Sequence, residues 1–225
     1  MGLRNELKYY LSSPQALLLE KRLRLVMRED KNAGSDHSYQ IRSLYFDEPL
    51  IGAYWDKING LDHRTKFRIR YYNNSSDHIR LEKKEKIGSQ TKKTGFSLSR
   101  HAAEEMAKGS PVIGFSSDPV YLEWVQKIRL EHYRPVCFVD YNRTAFVYPA
   151  GNVRITFDRH LSASVFRGSL FEEKRLTFPV MDSNLAILEV KFDSFLPPFL
   201  SALLEDVPKE YVAISKFCKC YEAIF

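Results

Sequence analysis

The sequence predicts an antiparallel α+β domain whose sheet curls around a cationic inner face, with helices packed outside. Three observations lead there. Arg64, Lys66, Arg68 and Arg70 alternate with Thr65, Phe67, Ile69 and Tyr71, so an extended chain puts all of this charge on one face. The pattern returns at Arg80, Glu82, Lys84 and Lys86 against Ile79 and Leu81, and at Arg4, Glu6 and Lys8 against Leu3 and Leu7. Helical stretches fall between hairpins without regular β-α-β alternation, which argues against a doubly wound sheet. Charged rows on several strands of one polarity fit a sheet rolled around them. Such an interior takes a polyanion.

The elements follow in chain order. After the first strand, Ser12-Ser13-Pro14 reads as an N-cap with an early proline, and Leu17, Leu18, Val26 and Met27 give a helical apolar stripe to about Arg28. A polar loop, 30–37, leads to a strand over Tyr39–Asp47, and Asn59-Gly60 marks a tight turn before the basic strand. Residues 73–77 form the hairpin loop to the next strand. A short helix is expected over Ser99–Lys108, closed by Gly109, and Asp118-Pro119 opens a longer one ending before Pro135. Strands follow over Val136–Val147, Val153–Phe157 and Leu185–Phe192, and the tail from Val212, with Ser215 as a cap, reads as a helix carrying Phe217 and Tyr221 inward. The count is seven or eight strands, in one domain spanning residues 1–225.

Charge is local. The net charge is +6, yet residues 64–100 hold 11 Lys/Arg against 3 Asp/Glu. A strip of that kind attracts phosphate-rich partners. Acidic residues set inside the rows, Glu6 and Glu82, orient the cations and offset their repulsion, which suits an enclosed site better than a nucleic-acid-facing strip. Three cysteines, Cys137, Cys218 and Cys220, and the lack of an apolar run of about 18 residues or of a signal-like start give a reducing, cytoplasmic setting as the expectation. Scattered histidines disfavour zinc. No P-loop, G-x-G-x-x-G or G-x-S-x-G motif is present.

The row Arg64/Lys66/Arg68/Arg70 offers bidentate guanidinium grip and compact ammonium charge, a mixture fitted to a chain of phosphates. Lys86, Arg154 and Lys191 extend it. Glu189 and Lys191 share a strand face with Leu185 and Ile187; they are either a strand end emerging into solvent or lumenal groups, with Glu189 a ligand for Mg²⁺ or Mn²⁺. Asp158, on the face of Arg154 and Thr156, is a second such carboxylate or a turn former. Ser215-Lys216 is either a plain helix start or an anion site at one.

Seven motifs stand in the order of one family: Arg4-x-Glu6-x-Lys8-Tyr9, Ser43-Leu44-Tyr45-Phe46-Asp47, Arg68-Ile69-Arg70-Tyr71-Tyr72, Leu81-Glu82-Lys83-Lys84, Tyr141-Asn142-Arg143-Thr144-Ala145-Phe146, Leu188-Glu189-Val190-Lys191 and Ser215-Lys216-Phe217. Over nearly its whole length the chain resembles the VTC domain, the polyphosphate polymerase branch of the triphosphate tunnel metalloenzyme (CYTH-like) superfamily. The resemblance implies an eight-stranded antiparallel β-barrel tunnel open at both ends. It further implies transfer of the terminal phosphoryl group of ATP to a growing polyphosphate chain, with Mn²⁺ or Mg²⁺. By motif position Lys8, Arg68, Arg70, Lys84, Arg143 and Lys216 are the implied phosphate ligands, Lys92 or Lys93 an addition, and Glu189 the implied metal ligand. The implied catalytic group is Arg68, Arg70, Lys84, Arg143 and Glu189. Two departures matter: Lys86 stands where the eukaryotic polymerases have a histidine, and Arg4 replaces the first carboxylate of the E-x-E-x-K strand common among relatives, which favours the polymerase branch over the hydrolases. A triphosphate hydrolase of the same fold and a non-catalytic polyphosphate or RNA binder are the alternatives.

Overall fold

Side-chain caps set most helix starts. The computed structural model describes residues 4–88, 90–110, 114–172, 175–208 and 214–225. Strand β1 (Asn5–Ser12) runs into α1 (Ser13–Arg24), where Ser12 and Gln15 form a reciprocal capping box and Pro14 occupies the first turn. The helix ends four residues short of the expected Arg28, because Arg28–Glu29 pair with the sheet as the short strand β2. Its buried face is Ala16, Leu19, Glu20 and Leu23, while Leu17 and Leu18 are each 51% exposed. The phase fixed by the cap therefore overrides the apolar stripe counted from sequence.

Strand β3 (Tyr39–Asp47) is followed by a helix that the sequence reading missed, α2 (Gly52–Ile58); Asn59 caps its end and Gly60 takes φ +71°, so Asn59-Gly60 ends a helix instead of turning a hairpin. Strands β4 (His63–Tyr72) and β5 (Ser75–Ile87) meet at Asn73 and Asn74, both at positive φ, a tighter connection than the expected five-residue loop. Strand β6 (Gln90–Leu98) leads to α3 (Arg100–Ala107), capped by Ser99, and Asp118 caps α4 (Pro119–Leu130). Then come β7 (Arg134–Tyr148), β8 (Val153–Ser164), which runs past the expected Phe157, the short β9 (Phe178–Pro179), β10 (Leu185–Phe192), α5 (Pro198–Leu203) and α6 (Lys216–Glu222). Leu3 and the expected helix start at Val212 lie outside the described residues.

Eight strands form one antiparallel path in the order β1-β10-β8-β7-β3-β4-β5-β6. Its two edges meet at one isolated bridge, Arg4 to Thr91, with the backbone N–H and carbonyl 3.4 Å apart. The sheet is thus rolled, but continuous pairing does not close it, which loosens the expected barrel. Helices α3 and α4 cover the outer face of β3, β4, β5 and β7; Trp124 meets Phe46 edge-on at 4.6 Å and Phe67 at 5.1 Å. Helices α1 and α5 cover the outer face of β1, β8 and β10. Helix α6 departs from the expectation of helices outside: Phe217, Cys218 and Cys220 pack on Tyr45, Val139, Leu161 and Ile187, and Phe217 stacks on Tyr45 at 5.1 Å. Those four partners lie on the inner faces of their strands, so α6 plugs one end of the roll. Among the described residues no helix is long and apolar enough to cross a membrane.

A cationic cavity as candidate functional site

Strict alternation along β4 sends Phe67, Ile69 and Tyr71 into the outer core and leaves Lys66, Arg68 and Arg70 to the inside. The same parity places Lys84 and Lys86 of β5, Glu6 and Lys8 of β1, Glu189 and Lys191 of β10, and Tyr141 and Arg143 of β7 around one cavity of about 310 Å³. The N-terminal end of α6 closes one side with Ile214, Ser215, Lys216 and Phe217. Eleven Lys and Arg side chains line it, against the carboxylates Glu6 and Glu189. Nothing apolar requires such a surface.

Most of these cations are aimed by a short bond. Arg143 Nε and Nη2 donate to the two oxygens of Asp158 at 2.6 and 2.7 Å, with Glu189 Oε2 at 3.4 Å. Lys216 Nζ lies 2.7 Å from both Asp158 Oδ2 and Glu189 Oε1. Lys84 Nζ donates to Glu6 Oε2 at 2.9 Å, Lys8 Nζ to the Ile214 carbonyl at 3.1 Å, and Lys66 Nζ to Ser215 Oγ at 3.1 Å. Arg70 donates to Ser43 Oγ and to the Tyr141 hydroxyl, both at 3.0 Å, and Arg68 Nη1 to the Tyr45 hydroxyl at 2.6 Å. Burial alone would raise the Glu189, Asp158 and Glu6 carboxyls; the surrounding cations outweigh it and hold all three below the usual carboxylate range. Glu189 is buried, so the exposed strand end is excluded as its explanation, and Asp158 is a buried partner of Arg143 and Lys216 instead of a turn former.

Of the residues expected from sequence, Lys8, Lys66, Arg68, Arg70, Lys84, Lys86, Arg143, Glu189, Lys191, Ser215 and Lys216 line the cavity together. Two do not. Lys92 is exposed and pairs across from Glu85 on the outer face, because β6 registers Lys93 with Lys84; Lys93 is the inward lysine. Arg154 shares the inner face of β8, but Asp30 and the Tyr39 hydroxyl engage its guanidinium away from the cavity. The sequence reading missed Lys57, which arrives on the unforeseen helix α2, and Tyr45 and Tyr141, whose motif positions were noted without a role; Phe217 was expected inward but not at the cavity.

Among the described residues no group of three His, Cys, Asp or Glu side chains forms a metal site. Glu6 and Glu189 nevertheless fit a hard divalent cation of the kind held by one or two carboxylates plus substrate phosphate oxygens, since both are anionic and face the cavity.

The fold and the site together define a rolled antiparallel sheet of the tunnel type around a cationic cavity suited to a polyanion. The chain belongs to the VTC domain family, whose pattern matches residues 3–225. Among solved structures it is similar to a candidate adenylate cyclase from Bacillus halodurans, with 13% identity, a TM-score of 0.56 and 96% of each chain covered. It is also similar to a candidate adenylyl cyclase from Hippeastrum described as having a dominant triphosphatase activity, with 14% identity, a TM-score of 0.54, and 96% of this chain and 93% of the other covered. No curated protein matches.

The cavity charge is pH-sensitive. Burial brings Lys84 down to about 8, and Lys93, buried beside Glu82 and near Arg70 and Arg68, down to about 7. An anion in the cavity pairs with Lys84 and favours its charged form, so tripolyphosphate affinity is expected to fall from pH 7 to pH 9. Binding at pH 8 should take up protons, read by calorimetry in buffers of different ionisation enthalpy. Stability of the ligand-free protein has the opposite sign. Over pH 7–10 the unfolded lysines hold protons that the folded ones have lost, so these two groups make stability rise with pH. An affinity flat from pH 7 to 9 would show that Lys84 stays charged.

Proposed function

We propose that this chain is an ATP-dependent polyphosphate polymerase. The convergence of eleven cations and two carboxylates on one cavity carries this reading. Phosphoryl transfer passes through a loose transition state with charge spread over the equatorial oxygens, so the protein's task is positioning and charge neutralisation. Arg68, Arg70 and Arg143, each fixed by a phenol, hydroxyl or carboxylate, grip the phosphoryl oxygens, while Lys8, Lys66, Lys84 and Lys216 supply point charge along the chain. The terminal oxygen of the acceptor chain bonds to the γ-phosphorus, the bond from that phosphorus to the β–γ bridging oxygen breaks, and its electron pair leaves with ADP. The nucleophile is anionic at neutral pH, so no general base is required, in keeping with a cavity that has no histidine among the described residues lining it. Mn²⁺ or Mg²⁺ held by Glu189, with Glu6 beside it, would neutralise phosphate charge and orient the donor. The same reading takes residues 1–225 as one domain acting in a reducing, cytoplasmic compartment, with ATP and polyphosphate as partners and no nucleic acid.

With water in place of the acceptor chain, the same cavity would hydrolyse triphosphate, the activity described for the Hippeastrum protein. Incubating purified protein with ATP and Mn²⁺ decides between them. Polymerisation yields ADP and long acid-stable phosphate chains. Free phosphate as the sole phosphorus product beside ADP would establish the hydrolase, and tight salt-sensitive binding without turnover would leave a non-catalytic binder.

A further inference from the structure

We propose that Glu82 divides the lumen into two phosphate subsites, the triphosphate cavity on one side and a chain subsite at Lys93 and Arg80 on the other. The proposal rests on the reading of the cavity as a triphosphate site. Glu82 shares the inner face of β5 with Lys84 and Lys86, yet it is 1% exposed and lines no part of the cavity. Its Oε2 accepts from Arg68 Nε and Nη2 at 2.9 and 2.8 Å, with Arg70 Nε at 3.9 Å, and its Oε1 pairs with Lys93.

Lys93 also lies outside the cavity lining, although it pairs directly across from Lys84. Its side chain keeps 40% exposure, so it meets solvent elsewhere than in the cavity. One step further along the same faces, β6 puts Gly95 opposite Glu82, and β5 then brings Arg80. A Cβ at Gly95 would stand 3.1 Å from Arg80 Nη2, which instead donates to the Gly95 carbonyl at 3.0 Å. Arg80 thus stands one step beyond Glu82 along β5, and Lys93, level with Lys84, meets the Glu82 oxygen opposite the one that Arg68 holds.

Glu82 is ionised: burial opposes its charge, but Arg68, Arg70 and Lys93 outweigh burial. A triphosphate that ends at Arg68 and Arg70 stops short of Glu82. A longer chain meets a fixed carboxylate of like charge, and passes it only where Lys93 and Arg80 hold phosphates on the other side. Glu82 thus sets how strongly the lumen distinguishes a triphosphate from a long chain. It also places the reacting end of an acceptor at Arg68 and Arg70, where the donor's terminal group lies.

The test is calorimetric titration of inorganic tripolyphosphate and of long-chain polyphosphate into the whole chain. Arg80→Gln and Lys93→Met should each lower the ratio of long-chain to tripolyphosphate affinity about five- to tenfold, the scale of one lost charge-assisted contact. Glu82→Gln should raise that ratio. An unchanged ratio in Arg80→Gln and Lys93→Met overturns the proposal, whether or not Glu82→Gln folds. The polymerase reading fails separately, by absence of polymer from ATP, and the affinity ratios are measured without turnover.

Discussion

Glu189→Gln is expected to lower ATP turnover about 100- to 1,000-fold, the scale of removing one well-placed electrostatic group, while tripolyphosphate binding is kept or tightened. The split follows from the company Glu189 keeps. Lys191 Nζ at 2.5 Å, Lys216 Nζ at 2.7 Å, Arg143 Nη2 at 3.4 Å and Lys8 Nζ at 3.6 Å all share its charge. Glutamine keeps the shape and one acceptor oxygen but removes the negative charge, so these cations present more net charge to a phosphate chain. Turnover falls because Glu189 is one of two cavity carboxylates able to hold a hard cation beside the donor. Parallel measurements of ATP consumption and tripolyphosphate affinity read the two effects apart. Unchanged turnover removes the metal assignment, and joint loss of binding and turnover makes Glu189 an architectural group whose role is to order the lysines.

Alternation made the wall of the site legible before any coordinates. A two-residue period with charge where an apolar row belongs specifies which face points in, and β4, β5, β1 and β10 obey it because a one-residue slip would bury Arg68 in the outer core beside Trp124. Helix starts were equally legible, since the residues that cap them, Ser12, Ser99, Asp118 and Ser215, act within three residues of themselves. What stayed hidden depends on distant partners. Lys92 and Lys93 are chemically identical neighbours, and the pairing of β6 with β5 alone decides between them. Arg154 lies on the right face of its strand, but Asp30, 124 residues away in sequence, claims it. Helix α2 starts at Ile51 in the left-handed region without a side-chain cap, which left no local signal from which to expect Lys57 at the cavity. The entry of α6 into the roll was half legible: inward Phe217 and Tyr221 could be read from spacing, but not that the surface receiving them is the inside of the sheet.

Lys216 belongs to both the plug and the site, and its removal carries the largest expected cost in stability. Lys216 is the first residue of α6, 9% exposed, with its ammonium 2.7 Å from both Asp158 and Glu189, which are 0% and 4% exposed. Lys216→Met keeps the apolar stem and deletes the charge, leaving two buried carboxylates with less compensation. Breaking one partner out of a buried pair costs about 3–5 kcal/mol, so the unfolding midpoint should drop by roughly 6–20 °C for a chain of this size. The pH dependence identifies the cause. In the parent chain the folded carboxyls sit below their unfolded values, so the stability they contribute is present above the unfolded carboxylate range and is lost as pH falls through it. In Lys216→Met burial pushes those same groups upward, they take up protons at higher pH, and the gap between variant and parent should narrow as pH is lowered from 7 toward 4. Lys216 itself adds no slope near neutrality, because its neighbours raise it above the ordinary lysine value, and its contribution is lost only in strong alkali. Denaturant titrations of both proteins across that pH range make the comparison. A loss below about 1 kcal/mol, of the size expected for an exposed pair, would mean that Arg143 and Lys191 neutralise Asp158 and Glu189 without Lys216, and that α6 is held in the roll by Phe217 and its apolar neighbours alone.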